Sequence, residues 1–420
     1  MSGTLSNGST GSAGSTGQPN ADQTASISVA RPEKTDLRLG FVRLTDSAPL
    51  IIAQELGYFA EFGLDVELEA QSSWANIRDK VAVGHLDAAQ MLAPMLFTTT
   101  LGLGGMRTPL LTGLSLSANG NAITLSNELA AEIVTPESSF TTTESARATS
   151  QRLNALLHDQ STPTRAGFTL ATVHPFSTHS ILLRMWLHAG GIDPDKDVRM
   201  VVLPPEQMVD SLSRGIIDGF CVGEPWNSRA VQYGIGSMVA TGYQIWNNAP
   251  EKVLGVTQTW HATHPASHLR LRLALMKSSQ WLDAAEHRED AARILSKANY
   301  LGISESELLP SLTGNIRFSR DQEAVQISCF HKFFDRSTGF PWRSHGDLIF
   351  QQIEQQVGRE FGTDKRQALI QECYRPDLYR EAARELEIPS PNQDRKDENT
   401  HSKPWLSDQG LEMGADLFLD

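Results

Sequence analysis

A two-lobed α/β fold with a helical C-terminal part is what this sequence predicts, and three observations predict it. Residues Leu37 to Leu68 read as strand, helix and strand in succession, the unit from which α/β sheets are assembled. Gly84-His85-Leu86-Asp87-Ala88 and Gly215-Ile216-Ile217-Asp218-Gly219, about 130 residues apart, repeat one local pattern in which a helix ends at Gly and leads into a buried strand. Such an internal echo points to two lobes of similar topology. From about Pro250 onward, apolar residues recur at helical spacing over long stretches.

Order is expected to begin near Asp36. Leu37 to Val42 alternates like a short strand, and Asp46 or Ser47 is the expected cap of a helix running from Leu50 to Leu56, with Pro49 in its first turn. Gly57-Tyr58-Phe59 and Phe62-Gly63 end that helix, and Leu64 to Leu68 alternates again. The stretch from Ser126 to about Arg165 is rich in Thr, Ser and Ala, carries a helix from Glu144 to His158, and is read as the crossing into the second lobe. Gly167 to Val173 resumes as a strand. Ser177 or Thr178 then opens a helix through His188 that Gly190-Gly191 closes. Further helices are expected from Leu269 to Glu286, Glu289 to Ala298 and Pro376 to Leu386, packed on the first lobe. The domain reading is a Ser/Gly/Thr-rich tail over 1–35 expected to lack fixed structure, a first lobe over 36–125 and a second lobe over 126–245. The first lobe returns over 246–390, a polar tail covers 391–420, and the hinge lies near Ser126 and Tyr243.

Composition narrows the function classes. With 420 residues, 40% of them hydrophobic, there is ample material for a core. The excess of 49 acidic over 36 basic residues, a formal charge of -13, opposes broad contact with nucleic acid or an anionic membrane surface. Cys221, Cys329 and Cys373 are far apart, form no CxxC pair and sit among apolar neighbours, so buried thiols in a reducing compartment are expected. The first stretch, Met1 to about Glu33, has neither the basic start nor the apolar run of about 7 to 15 residues that a secretory signal needs. A cytoplasmic location is the resulting expectation.

No catalytic constellation is present: there is no GxSxG, HExxH, Walker loop or GxGxxG between a strand and a helix. Gly102-Leu103-Gly104-Gly105 lacks the Lys-Ser/Thr of a phosphate loop and is read as a turn. His261, His264 and His268 approach metal-ligand spacing without an adjacent acidic or Cys partner, and are read as histidines at a helix entry. No cofactor is expected. The informative residues are polar groups at the ends of expected strands, where α/β sheets place ligands against helix N-termini. They are Trp74, Asn121, His179, Lys252 and the pair Gly223 and Glu224, with Glu224 read as structural and pairing across the hinge.

Several strings resemble one known family. Leu44-Thr45-Asp46-Ser47-Ala48-Pro49-Leu50, Glu55-Leu56-Gly57-Tyr58-Phe59, Ala189-Gly190-Gly191-Ile192-Asp193-Pro194, Phe220-Cys221-Val222-Gly223-Glu224-Pro225-Trp226-Asn227 and Phe340-Pro341-Trp342-Arg343-Ser344-His345 resemble the nitrate-binding branch of the ABC-type solute-binding proteins. The match runs from about Asp36 to Leu386. It implies a type II periplasmic-binding-protein fold, with ligand closing two lobes about a hinge. Members are either exported lipoproteins serving nitrate or bicarbonate importers, or cytoplasmic nitrate and nitrite sensors. In the transporter group, Trp, Gln, His and Lys side chains hold nitrate. Those positions fall on Trp74, Asn121, His179 and Lys252 here, so Asn121 departs from the Gln.

The resemblance implies nitrate or nitrite as the ligand, because the bicarbonate binders are expected to carry an acidic group at the position of Lys252. In the sensors, the ligand-free protein holds an RNA-binding antitermination response regulator of the ANTAR type inactive until the anion releases it, with no direct contact to nucleic acid or membrane. A planar monoanion with three acceptor oxygens is suited to several donors and one positive charge in a dry cleft, and an affinity near about -8 kcal/mol is expected. Three rival readings stand beside this one: the binding component of a nitrate ABC importer, an enzyme resembling thiamine-precursor synthases, and a bicarbonate or sulfonate binder.

Overall fold

Strand order explains how residues distant in sequence reach one place. In chain order, β1 (Asp36–Val42), β2 (Asp65–Gln71), β3 (Ala88–Leu92), β4 (Leu110–Leu111) and β5 (Ser115–Asn119) come first. β6 (Asn121–Ser126), β7 (Thr169–Thr172), β8 (Arg199–Val202), β9 (Gly219–Gly223) and β10 (Gly236–Thr241) follow. Next come β11 (Pro250–Thr257), β12 (Asn315–Ile316), β13 (Val325–Gln326), β14 (His331–Lys332), β15 (Trp405–Leu406) and β16 (Glu412–Met413). This computed structural model describes residues 29–135, 138, 140–159 and 167–420. Most of the expected N-terminal tail, and 160–166 in the expected crossing region, lie outside the described residues.

The first sheet has the order β14-β5-β11-β3-β1-β2 with β4 beside β11, and the second the order β10-β6-β9-β7-β8. β1 runs parallel to β2 and β3, and β7 parallel to β8 and β9. Because β11 and β6 run antiparallel to these, their N-terminal ends arrive at the carboxyl edges of the parallel strands: Lys252 lies opposite Leu92, and Asn121 opposite Gly223. The carboxyl edges are where an open α/β sheet offers a ligand crevice.

The chain leaves the first sheet at Asn119 and enters the second at Asn121, so the outward crossing is at Gly120 rather than near Ser126. β6 is bound on both sides by β9 and β10 and belongs to the second lobe. The return runs between Thr241 and Pro250, through the turn of helix Gly242–Ile245 that holds Tyr243.

Local signals account for several helices. Ser177 accepts the Ser180 N–H and caps Thr178–Ala189, and Gly190 ends it. Ala48–Glu55 carries Pro49 in its first turn, but neither Asp46 nor Ser47 caps it: both lie in the turn Thr45–Ser47, and the Ser47 hydroxyl donates to the Leu44 carbonyl. Pro265–Asp283 packs on Ala48–Glu55 and Tyr58–Glu61, burying Leu271, Leu273 and Leu275, so the helical return covers the first lobe. Arg343–Val357 packs on Ala93–Leu101 and also reaches Thr178–Ala189 of the second lobe. All three cysteines are buried and free.

Residues 391–420 do not form a detached polar tail. β15 pairs with β16, Met413 and Leu419 are buried, Trp246 bridges to Phe418, and Leu419 N–H donates to Ile245 O at 2.8 Å. The segment therefore straps the return crossing. The buried Asp416 carboxylate ties the strap to itself, accepting the N–H groups of Thr400 at 2.8 Å and His401 at 2.6 Å. Asp416→Ala strands those two donors and is expected to lower unfolding free energy by about 2 kcal/mol. Urea unfolding checks this, and an unchanged midpoint would count against the strap as a stabilising element.

Candidate functional site

A set of buried polar side chains gathers where the two carboxyl edges face each other. The first lobe contributes Asp46 from the turn after β1, Trp74 at the start of helix Trp74–Ala82, Gln90 from β3, and Glu251 and Lys252 from β11. The second contributes Asn121 at the start of β6, His179 in the first turn of Thr178–Ala189, Gly223 at the end of β9 and Glu224 just beyond. Ser73 orients Trp74 by capping its helix through the Asn76 N–H. Asn121, His179, Glu251 and Lys252 are fully buried.

Lys252 is the hub. Its Nζ lies 2.8 Å from Asp46 Oδ2, contacts Glu251 Oε1, and stands 5.1 Å from the centroid of the Trp74 ring. Glu251 is held from the opposite lobe as well: Oε1 lies 3.0 Å from His179 Nε2, and Oε2 accepts from Asn121 Nδ2 at 2.6 Å. Gln90 fixes Asp46, its amide donating to Oδ1 while its Oε1 accepts the Val42 N–H at 2.9 Å. Two bonds zip the lobes beside this cluster, Thr45 N–H to Glu224 O at 2.8 Å and Thr178 Oγ1 to Pro250 O at 3.0 Å. The lobes are thus closed on the site.

Burial sets the electrostatics. It disfavours the charged form of every group here, and pushes the Asp46 carboxyl up despite the attraction of Lys252. Burial also acts upward on Glu251, but His179 and Lys252 together outweigh it and hold the carboxyl down to about 2. Lys252 is likewise desolvated, yet Asp46 and Glu251 raise it and keep it charged. Glu224 has no cation to offset burial, which pushes it up to about 7.

Trp74, Asn121, His179 and Lys252, all singled out in the sequence, are therefore neighbours of one cluster. Gly223 belongs to it by absence of bulk, since a Cβ there would stand 3.1 Å from Asp46 Oδ2 and 3.5 Å from His179 Nε2. Glu224 does not pair across the hinge through its side chain. Its Oε2 accepts the Ser228 N–H at 3.1 Å within its own segment, and its backbone carbonyl makes the contact to the other lobe.

Asp46, Gln90 and Glu251 were not anticipated as part of the site. The reason for Glu251 is a bulge: the pairing of β11 with β5 shifts register on either side of Lys252. Alternation would send Glu251 and Lys252 to opposite faces, and the irregularity turns both into the seam. Polar capacity is still open, for Trp74 Nε1, Asn121 Oδ1, both ring nitrogens of His179, Asp46 Oδ2 and Glu224 Oε1 are buried without a hydrogen-bond partner, His179 Nε2 and Asp46 Oδ2 making ion-pair contacts alone. Elsewhere, His268 Nδ1 meets His261 Nδ1 at 3.0 Å, and no group of three or more metal-ligating side chains occurs among the described residues. Gly102 ends helix Ala93–Leu101 in a turn at φ 77°. No helix of the described residues is long and apolar enough to cross a membrane.

Comparison with known proteins agrees with this architecture. Residues 30–296 match the model of the NMT1-like family. The chain is 40% identical to the nitrate import ATP-binding protein NrtC of Synechocystis sp. PCC 6803 over 85% of its own length and 51% of that protein's. It is 42% identical to the bicarbonate transport ATP-binding protein CmpC of the same organism, over 68% of its length and 40% of that protein's. It thus spans about half or less of the length of these two relatives. Among solved structures, the periplasmic nitrate-binding protein NrtA from the same organism superposes with a TM-score of 0.79 at 30% identity, covering 92% of this chain and 97% of that one. In sequence and in its two-lobed periplasmic-binding-protein fold, the chain belongs to the NMT1-like family.

Proposed function

We propose that this protein binds nitrate or nitrite between its two lobes and acts as a cytoplasmic sensor of that anion. The observation that carries the anion reading is the convergence of His179, Asn121 and Lys252 from two lobes onto one planar, singly charged O–C–O group, the Glu251 carboxylate, beside the Trp74 ring. Nitrate and nitrite have the same planar O–X–O outline and charge, and such donors recognise it. The similarity to a protein named as nitrate-binding supports the same reading. The protein is a binder rather than an enzyme in this proposal, and it needs no cofactor.

The regulatory half of the proposal is that the ligand-free form holds an ANTAR-type RNA-binding antitermination regulator, and that the anion releases it. Ligand and partner must then prefer different lobe arrangements, so each weakens the other's binding by the same factor. A second reading is favoured by the similarity to an import ATP-binding protein: the chain serves as the substrate-binding part of a nitrate ABC importer. A bicarbonate ligand draws support from Asp46 and Glu251 in the site, since bicarbonate carries an O–H that nitrate lacks, and from the relative named for bicarbonate transport.

Isothermal titration with nitrate, nitrite, bicarbonate and sulfate, with and without the regulator, separates these readings. Micromolar heat from nitrate or nitrite with release of the regulator is the expected result. Nitrate binding without regulator contact favours the importer, and heat from bicarbonate alone overturns the nitrate assignment. Gly242→Ala offers a sharper probe, because its Cβ would fall 1.8 Å from Asn121 Oδ1 and displace that amide. Anion affinity is expected to fall at least about tenfold with the circular dichroism spectrum unchanged. Wild-type affinity in this variant would remove Asn121 from the site.

A further inference from the structure

In the closed structure the strongest donors of the seam already have an anion, and it comes from the chain itself. His179 and Asn121 reach it from the second lobe and Lys252 from the first, Oε2 of Glu251 accepting from the Asn121 amide and Oε1 lying 3.0 Å from His179 Nε2 at ion-pair distance. Lys252 meanwhile faces a second carboxylate, Asp46, at 2.8 Å. Titratable groups facing Glu251 come from every side: Lys252 on its own strand, His179 from Thr178–Ala189, and Asp46 from the turn after β1. Cys221 on β9 and His331 on β14 stand further off. Lys252 and His179 thus stand against two carboxylates in a fully buried cluster. A second monoanion cannot be added there while both carboxylates stay ionised without a large desolvation cost.

We infer that Glu251 is an internal competitor for the anion seat, and that an entering nitrate or nitrite displaces its carboxylate and is bound together with one proton. The inference rests on the anion reading proposed above. In the unliganded site, His179 and Lys252 keep Glu251 ionised against burial. Once the ligand takes those donors, the carboxylate remains buried without them, and burial then favours its protonated form. A group whose proton affinity rises on binding takes up a proton, so affinity falls as pH rises, by up to tenfold per pH unit between the free and the liganded pKa. The same arrangement lets the protein close without ligand, because the two lobes meet through Glu251 itself.

Nitrate and nitrite titrations at pH 6, above the unliganded and below the expected liganded value of the carboxyl, in phosphate and in imidazole, read the proton count from the difference in heats between buffers of different ionisation enthalpy. About one proton taken up per anion is expected for the wild type. Glu251→Gln keeps the shape and one acceptor but not the charge, and is expected to take up none and to bind at least tenfold more tightly. Binding by the wild type with no proton uptake overturns the inference while leaving the anion reading intact, and so does a Glu251→Gln variant with wild-type affinity and proton count. Should that variant fail to fold, the wild-type proton count decides alone. If neither protein binds either anion between pH 6 and 8.5, the anion reading falls and this inference with it.

Discussion

Lys252→Met is expected to lower unfolding free energy by about 3 to 5 kcal/mol and to weaken nitrate or nitrite binding at least about a hundredfold. Methionine fills a similar volume, so little of the loss arises from a cavity. What changes is charge: Asp46 and Glu251, both buried, lose their shared cation, and breaking a buried pair by removing one partner leaves an uncompensated charge. Without the lysine, the Asp46 carboxyl, already pushed up by burial, loses the main attraction that opposes that rise, while Glu251 keeps only His179 beside it. A group raised in this way contributes stability below the unfolded carboxyl pKa, and that stability is lost as pH rises, so the gap to wild type should widen between pH 4 and 8. Adding Asp46→Asn should return part of the loss, since the two residues act as one unit. Urea unfolding of the single and double variants measures both effects. A Lys252→Met loss under about 1 kcal/mol would mean that water reaches this cluster.

Helix Thr178–Ala189 was legible because its signals are local: a Ser that caps it, an apolar face, and a Gly at its end. The outward crossing was not. β5 and β6 are buried along nearly their whole length and are separated by Gly120 alone, so Ser115 to Ser126 carries no polar loop to mark a change of sheet. Asp46 precedes a helix, which is a capping signal, but a buried lysine more than 200 residues away claims it instead. The C-terminal strap was missed for a related reason. Its buried Met413, Asp416 and Leu419 follow no period, and their partners near Ile245 and His401 are set only by the fold.

The site was readable as residue types and unreadable as a network. Trp74, Asn121, His179 and Lys252 stand out as polar or aromatic groups at strand ends, and the antiparallel β6 and β11 bring the last step of proximity. Nothing in the alternation of β11 shows that Glu251 turns inward beside Lys252, because a bulge is a property of pairing and not of one strand.

Glu224→Gln is expected to raise stability at pH 8 by about 3 kcal/mol and to leave it nearly unchanged at pH 4.5. Burial pushes the Glu224 carboxyl up to about 7; Oε1 has no hydrogen-bond partner, and Oε2 has the Ser228 N–H. In the unfolded chain a Glu ionises near about 4.3. Between these values the folded protein holds a proton that the unfolded chain has released. A group raised in this way contributes stability in full below the unfolded pKa, and loses it at about 1.4 kcal/mol per pH unit as pH rises towards 7. Glutamine has the same shape and no proton to lose, so the variant escapes that decline. Urea midpoints at pH 4.5 and pH 8, both without anion, test it, and parallel profiles for the two proteins would show that Glu224 does not carry the titration. The result also bears on closure, because the Glu224 carbonyl accepts the Thr45 N–H across the two lobes. An ionised Glu224 is buried with one oxygen unpartnered, which destabilises the segment that makes this contact, so the wild type should open more readily above pH 7 and the variant should not.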